Sequence, residues 1–146
     1  MKSDKIKQKA FEAIMKLQEF NLEISTFGNA SAVDRDNGVF AIKRSGVPYE
    51  QLTPNNMVIV DFEGNVVEGG ARPSSDTLKH AVLDKQWKGI GGIVYTHSTY
   101  ATSWAQAQMD IPIYGTTHAD YLIFDIPCTP FLSDEMIKGN YEYQTG

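Results

Sequence analysis

The sequence predicts a single domain of mixed α-helices and β-strands, and three patterns indicate this fold class. Near the N-terminus, apolar residues recur at steps of four and three, as on one face of a helix running to about Phe20: Ile6, Ala10, Ile14 and Leu17. Asn37-Gly38 separates two strand-like runs and is typical of a β-hairpin. The apolar run after Gly91-Gly92 predicts a further strand that leads into another helix.

Further strands and a helix are expected between these patterns. Pro73 disfavours helix at the residue before it, so a helix carrying Leu78, Ala81 and Val82 is expected to begin after it. Alternating apolar residues and turn-forming glycine and asparagine residues predict strands at four places: 31–34, 39–43, 57–62 and 66–68.

The run from Gly91 to Ser98 has the pattern of a buried strand with a polar end. Because side chains alternate along a strand, Ile93, Tyr95 and His97 are expected on one face. His97 at such an end can meet a ligand or a metal ion, or it can be a hydrogen-bonded residue at the rim. A helix is expected from about residue 100 to 108, and the apolar segment 123–127 is expected to pack beneath the polar residues before it.

Composition narrows the classes of function. The net charge of -5 argues against a nucleic-acid-binding surface, although a local basic pocket for an anionic substrate is compatible with it. Cys128 is the one cysteine, so no intrachain disulfide can form, which favours a reducing, intracellular compartment. The polar N-terminus and the lack of a long apolar stretch lead us to expect neither a secretory signal nor a membrane span.

Three segments of small and polar residues have the chemistry of an anion site. Gly28-Asn29 inside a strand-like run suggests close backbone approach or unusual dihedral angles, with a simple turn as the alternative. Ser45-Gly46 follows Lys43-Arg44 and combines a hydroxyl and a glycine amide with cations, or is an ordinary loop. Ser74-Ser75-Asp76 precedes a helix, where free amides favour anions; ordinary helix capping is the alternative.

A fourth polar segment, Thr116 to Tyr121, contains two titratable groups. His118 and Asp120 can exchange protons with a substrate, or they can cap and cross-link a loop.

Taken together, the segments resemble the L-ribulose-5-phosphate 4-epimerases of the class II aldolase and adducin family. The resemblance extends from the first helix to Gly146 and rests on the order and spacing of five segments: Gly28-Asn29, Ser45-Gly46, Ser74-Ser75-Asp76, Thr96-His97-Ser98 and Thr116 to Tyr121. It implies a three-layer α/β/α domain around a mainly antiparallel central sheet. Residues 1–146 would form one class II aldolase/adducin-like domain, the N-terminal part of the family fold, incomplete at the C-terminus.

The resemblance also implies an activity. The family enzymes interconvert L-ribulose 5-phosphate and D-xylulose 5-phosphate in pentose (L-arabinose) catabolism, by retro-aldol cleavage between C3 and C4 and re-addition. A divalent metal, usually Zn²⁺, acts as a Lewis acid in that reaction. The implied partner is a pentulose phosphate substrate, without nucleic acid or membrane, and the implied state is a cytoplasmic homotetramer.

By the same resemblance, individual residues take roles in this site. Asp76 and His97 would lie at the metal, and Asp120 would donate or accept a proton. The substrate phosphate would be held by six residues: Gly28, Asn29, Ser45, Gly46, Ser74 and Ser75.

Two departures from the family pattern limit the expected activity. Tyr95 stands where the family has a second ligand histidine, and a neutral phenol is a poor replacement for imidazole at zinc. The sequence also ends before the part that carries another metal histidine and a catalytic tyrosine in the family. We therefore expect weak metal binding and little or no epimerase activity from this chain.

Two other functions compete with the epimerase. A class II sugar-phosphate aldolase would share the chemistry but release both fragments, and Asp120 in the segment 116–121 favours the epimerase over it. A non-catalytic, adducin-like binding module is favoured by Tyr95 and by the absent C-terminal part.

Overall fold

The structure, a computed structural model that describes residues 2–24 and 26–145, is built around an antiparallel sheet. Its strands are β1 (Asn29–Asp34), β2 (Val39–Lys43), β3 (Met57–Asp61), β4 (Val66–Glu68) and β5 (Val94–Tyr95). They lie in the order β4-β3-β2-β1-β5, and every pairing is antiparallel. The hairpin predicted at Asn37-Gly38 is therefore confirmed, and the strands predicted at 57–62 and 66–68 also form an antiparallel pair.

The structure has six helices among the described residues, of which the first three lie within about two residues of the positions that apolar spacing predicts and the other three are short. They are α1 (Lys2–Glu19), α2 (Thr77–Gln86), α3 (Thr99–Gln106), α4 (Thr116–Ala119), α5 (Asp134–Lys138) and α6 (Tyr141–Gln144). Two short 3₁₀ helices, Tyr49–Gln51 and Pro54–Asn56, connect β2 to β3.

Helices cover both faces of the sheet, which gives the expected three layers. On one face, α1 packs Ala10 and Ile14 into a core with Ala41 of β2. On the other face, Phe40 and Ile42 join a second core that includes Ala81 of α2. Because neighbouring residues of β2 point to opposite faces, one strand contributes to both cores. The α/β/α prediction is confirmed for the described part of the chain.

The run from Gly91 to Ser98 does pair with β1, since the amides of Ser31 and Val33 donate to the carbonyls of Ile93 and Gly91, but the prediction that it is a buried strand is wrong. Only Val94 and Tyr95 form β5, which pairs with β1 alone and lies at the edge of the sheet in the described structure. Val94 is 56% exposed, because no further strand or helix covers that side. Gly92 does approach β1 closely: a Cβ there would collide with the carbonyl oxygen of Ser31.

The segment 123–127 does not pack beneath its neighbours, contrary to expectation. Ile123 and Phe124 are 84% and 76% exposed. Among the described residues after Asp84, none is buried. In the part of the chain that the structure describes, no helix is long and apolar enough to cross a membrane.

Candidate functional site

The segments predicted to bind phosphate meet at one end of the sheet. The Ser74 amide donates a hydrogen bond to the Lys43 carbonyl at 2.9 Å, and the Ser45 amide donates to the Arg72 carbonyl at 3.0 Å. These bonds hold the 43–46 and 72–75 segments side by side. The third segment joins them through Asn29, whose Nδ2 lies 3.4 Å from Ser74 Oγ.

Gly28 has the unusual backbone that its position in the sequence suggests. Its φ is +83°, a conformation that residues with a side chain rarely adopt. A Cβ at this position would lie 3.4 Å from both Tyr49 Oη and the carbonyl oxygen of Tyr95. Glycine therefore lets the chain enter β1 beside these two residues.

Asn29 is a buried polar residue at the centre of the site. It begins β1 directly opposite Tyr95 and is 1% exposed. Its Nδ2 donates to Asp76 Oδ2 at 2.5 Å, which fixes the orientation of the amide. Its Oδ1 has no hydrogen-bond partner among the described residues, so an acceptor is available for a ligand hydroxyl or a water molecule.

Asp76 occupies the N-cap position of α2, but its side chain does not cap the helix. One carboxylate oxygen accepts from Asn29, and the other, Oδ1, accepts from Lys79 Nζ at 3.0 Å. Ser74 instead bonds the start of the helix, since its Oγ accepts from the Asp76 amide at 3.3 Å. The capping alternative therefore does not describe the Asp76 carboxylate, which faces the site.

Lys79 is the central residue that the sequence analysis missed. It is only 7% exposed, and its ammonium lies 3.6 Å from Glu142 Oε2 and 4.1 Å from the centroid of the Tyr95 ring. Its spacing of three residues from Asp76 was the available signal, because residues three apart on a helix are neighbours. Glu142 gave no signal, since only tertiary structure brings α6 to α2.

The ammonium of Lys79 is stabilised in its charged form. Burial lowers the pKa of Lys79, but the hydrogen bond and charge of Asp76, with Tyr95 and Glu142, outweigh it, and the net pKa is raised. Burial raises the pKa of Tyr95, while Lys79 opposes that shift. The site thus contains a fixed cation beside a neutral phenol.

His97 lies next to this group on the same side of the chain as Tyr95. Its ring packs edge-on against Tyr95, with centroids 5.2 Å apart, and against Phe27 at 5.7 Å. The role of His97 as a metal ligand stays a prediction.

The remaining predicted residues lie closer to solvent. Ser45 is half-buried, while Gly46 and Ser75 are exposed. The Lys43 ammonium donates to the Thr26 carbonyl at 2.7 Å. Burial lowers the pKa of Lys43, while the charges of Glu23 and Asp76 oppose that shift.

Asp120 is separate from the group around Asp76 in the described structure. It follows α4, is exposed, and its amide donates to the Thr116 carbonyl at 2.8 Å. Among the described residues, no hydrogen bond or ion pair joins its carboxylate to Asp76 or His97. Its proton-transfer role stays a prediction.

The match to known proteins agrees with this architecture. A model of the class II aldolase and adducin N-terminal domain matches residues 8–140, so the chain belongs to this family. It is 54% identical over 142 residues to the L-ribulose-5-phosphate 4-epimerase UlaF of Salmonella paratyphi C (strain RKS4594) and equally to that of Salmonella choleraesuis (strain SC-B67). These alignments cover 97% of this chain but only 62% of each relative.

Solved structures of similar fold include L-fuculose 1-phosphate aldolases. An L-fuculose 1-phosphate aldolase superposes with a TM-score of 0.69 at 34% identity, over 74% of this chain and 51% of that one. The L-fuculose-1-phosphate aldolase of Thermus thermophilus superposes with a TM-score of 0.69, over 87% of this chain and 63% of that one. Its identity of 24% supports the fold alone.

The class II aldolase family generally uses a divalent metal, and the side chains of this site do not fit one. The Lys79 ammonium lies 3.0 Å from the Asp76 oxygen that such a metal would share. At an effective dielectric constant of about 20, an ammonium roughly 4 Å from a divalent ion repels it by about 8 kcal/mol, which cancels the attraction of one carboxylate at the same distance. Among the described residues, no three His, Cys, Asp or Glu side chains gather into a group that could hold a metal ion.

Proposed function

We propose that this chain is the substrate-binding part of a sugar-phosphate enzyme of the L-ribulose-5-phosphate 4-epimerase type. The observation that carries the proposal is the convergence of residues 28–29, 45–46 and 74–75 around the buried side chain of Asn29. The 54% identity to epimerases over nearly the whole chain supports the choice of a pentulose phosphate as ligand.

The proposed binding mode uses groups suited to a phosphate and a polyol. Hydroxyls of Ser45 and Ser74, with amides of the glycine-containing segments, offer donors to phosphate oxygens. The N-terminus of α2 adds its partial positive charge. The unpartnered Oδ1 of Asn29 would accept from a sugar hydroxyl.

The proposed reaction of the lineage is inversion at C4 by cleavage and re-formation of the C3–C4 bond, with Asp120 moving a proton. For this chain alone we expect binding with little turnover, because Lys79 and Tyr95 stand in place of a fitting metal-ligand set. Cytoplasmic location, a homotetramer and a role in L-arabinose catabolism belong to the same proposal and rest on the family resemblance, as does zinc for the lineage but not for the site of this chain. The names of the relatives support the epimerase activity alone.

A non-catalytic, adducin-like binding module is the second candidate. The ion pair between Lys79 and Asp76 favours it, since it neutralises a carboxylate that catalysis in the family would use. An aldolase is the third, supported by the 34% identity to an L-fuculose 1-phosphate aldolase.

Calorimetric titration with L-ribulose 5-phosphate tests the proposed binding. Unphosphorylated L-ribulose should bind much more weakly, and Ser74→Ala should raise the Kd for the phosphate by about tenfold, the value of one hydrogen bond to a charged group. Ser103→Ala, an exposed serine on α3, is the matched control and should leave the Kd unchanged. Equal affinity for both sugars, or no binding of either, would contradict the proposal.

Product analysis separates the three candidates. An epimerase forms D-xylulose 5-phosphate, an aldolase releases two shorter fragments, and a binding module forms neither. Phosphate-dependent binding with a trace of D-xylulose 5-phosphate agrees with the proposal for this chain, two shorter fragments would favour the aldolase, and binding with no product would favour the binding module.

A further inference from the structure

We propose that the Lys79 ammonium is the resident cation of this site, and that it excludes a divalent metal from Asp76. Its position carries the inference. Lys79 is 7% exposed and bonds Asp76 Oδ1 at 3.0 Å, so the amine projects into the site and not into solvent.

The surroundings of the ammonium are those of a built cation site. Two carboxylates lie beside it, Asp76 at 3.0 Å and Glu142 at 3.6 Å. The Tyr95 ring lies 4.1 Å away, centroid to nitrogen, which is the geometry of a cation–π contact. Charge, burial and ring position thus all favour a cation at this point, and the chain supplies one.

The contact between the Tyr95 ring and the Lys79 ammonium accounts for the presence of both residues. A phenol is a poor metal ligand, but its ring face stabilises an ammonium better than an imidazole edge would. The residue that departs from the family pattern in β5 therefore contacts the side chain that fills the cation position from α2. Asn29 holds the other oxygen of Asp76, which keeps the carboxylate aimed at Lys79.

The inference separates two explanations for weak metal binding. If Tyr95 alone were responsible, its replacement by histidine would restore a metal site with Asp76 and His97 as the other ligands. If Lys79 occupies the position, that single change leaves the ammonium in place, and removal of the lysine is also required.

Zinc binding tests this without any measurement of activity. The unmodified protein, Tyr95→His, Lys79→Met and the double variant are loaded with Zn²⁺, desalted and analysed for metal, and their Kd values are measured by calorimetry. We expect about one zinc per chain only in the double variant, with a Kd at least about 100-fold lower than that of Tyr95→His. The matched control joins Tyr95→His to Lys85→Met, an exposed lysine of the same helix, and should resemble Tyr95→His alone.

Three results would overturn the inference. These are stoichiometric zinc in the unmodified protein, equal affinity in Tyr95→His and the double variant, and no zinc in a folded double variant. Circular dichroism checks folding, and Lys79→Gln replaces Lys79→Met if the latter unfolds. Sugar-phosphate binding is measured separately, so failure here leaves the proposed ligand untouched, and failure there leaves this inference intact.

Discussion

Residues 2–84 and residues 85–145 differ sharply in the burial of their apolar side chains. The first region covers both faces of β1–β3 with α1 and α2 and contains every buried residue that the structure describes. The second region forms helices too, yet it exposes large apolar residues: Tyr121 at 86%, Ile123 at 84% and Phe131 at 81%. The difference teaches that an amphipathic segment becomes part of a core only where a sheet face lies beneath it.

The candidate site lies across the boundary between the two regions. Asn29, Asp76 and Lys79 belong to the first region, where packing fixes their positions. Tyr95 and Glu142 reach the same point from the second region. The packed region therefore supplies the buried polar groups, and the exposed region supplies the ring and the additional carboxylate.

Hydrogen bonds from Arg35 connect the start of the second region to the first. From the β1–β2 turn, its guanidinium donates to the carbonyls of Asp84, Trp87 and Ile90 at 2.7 to 2.8 Å. One planar side chain thus satisfies the C-terminal carbonyls of α2 and holds the chain that leads to β5.

The largest expected effect contrasts one phenylalanine from each region. Phe40→Ala removes a fully buried ring and should lower the free energy of unfolding by about 3 to 5 kcal/mol. Phe124→Ala removes a ring that is 76% exposed and should change it by less than about 0.5 kcal/mol. Urea denaturation followed by circular dichroism measures both, and similar losses in the two variants would break the comparison.

A smaller effect is expected at the connection between the regions. Arg35→Ala should lower the free energy of unfolding by about 2 kcal/mol, because several carbonyls lose a charged donor. Arg35→Lys should recover only part of this, since an ammonium cannot reproduce the planar fork. Arg44→Ala, an exposed arginine, is the matched control in the same urea titration. An Arg35→Ala variant as stable as the control would show that the regions are held together by other contacts.

The smallest effect concerns the buried carboxylate of Asp84 at the last buried position. Burial raises its pKa to about 6, although Arg35, 4.0 Å away, opposes the shift. The folded pKa exceeds the unfolded value of about 3.9, so this group's contribution to stability is full below pH 4 and is lost as pH rises through 6. Asp84→Asn should therefore stabilise the protein by about 1 to 2 kcal/mol at pH 8 and leave it unchanged at pH 4.

The pKa shift of His80 changes stability with pH in the opposite direction, so His80 is left unmutated in every variant of that experiment. It is fully buried, its Nδ1 lies 2.8 Å from Ser31 Oγ, and burial lowers its pKa to about 4. Its contribution is full above its unfolded pKa of about 6.5 and is lost as pH falls towards 4. The melting temperature, measured from pH 4 to pH 8, should therefore fall at acid pH in Asp84→Asn because of His80. In the unmodified protein, the opposite contribution of Asp84 partly hides this fall. Glu50→Gln, at an exposed carboxylate, should follow the unmodified curve.

Local sequence signals predicted the secondary structure of this chain well. The spacing of Ile6, Ala10 and Ile14 predicted α1, and Asn37-Gly38 predicted the β1–β2 hairpin. Such signals succeed because hydrophobic periodicity and turn chemistry act over a few residues. The same reasoning failed for β5 and for Ile123 and Phe124, since exposure depends on which distant elements cover a segment.

The candidate site divides in the same way. The sequence by itself determined the identity of the polar segments, the glycine needed at residue 28 and the departure at Tyr95. Only the tertiary structure decided that Asp76 bonds Asn29 and Lys79 and does not cap its helix, and that Lys79 lies against Tyr95 and Glu142. The physical reason is that the environment of a buried charge is set by residues far away along the chain, and no local pattern encodes those contacts.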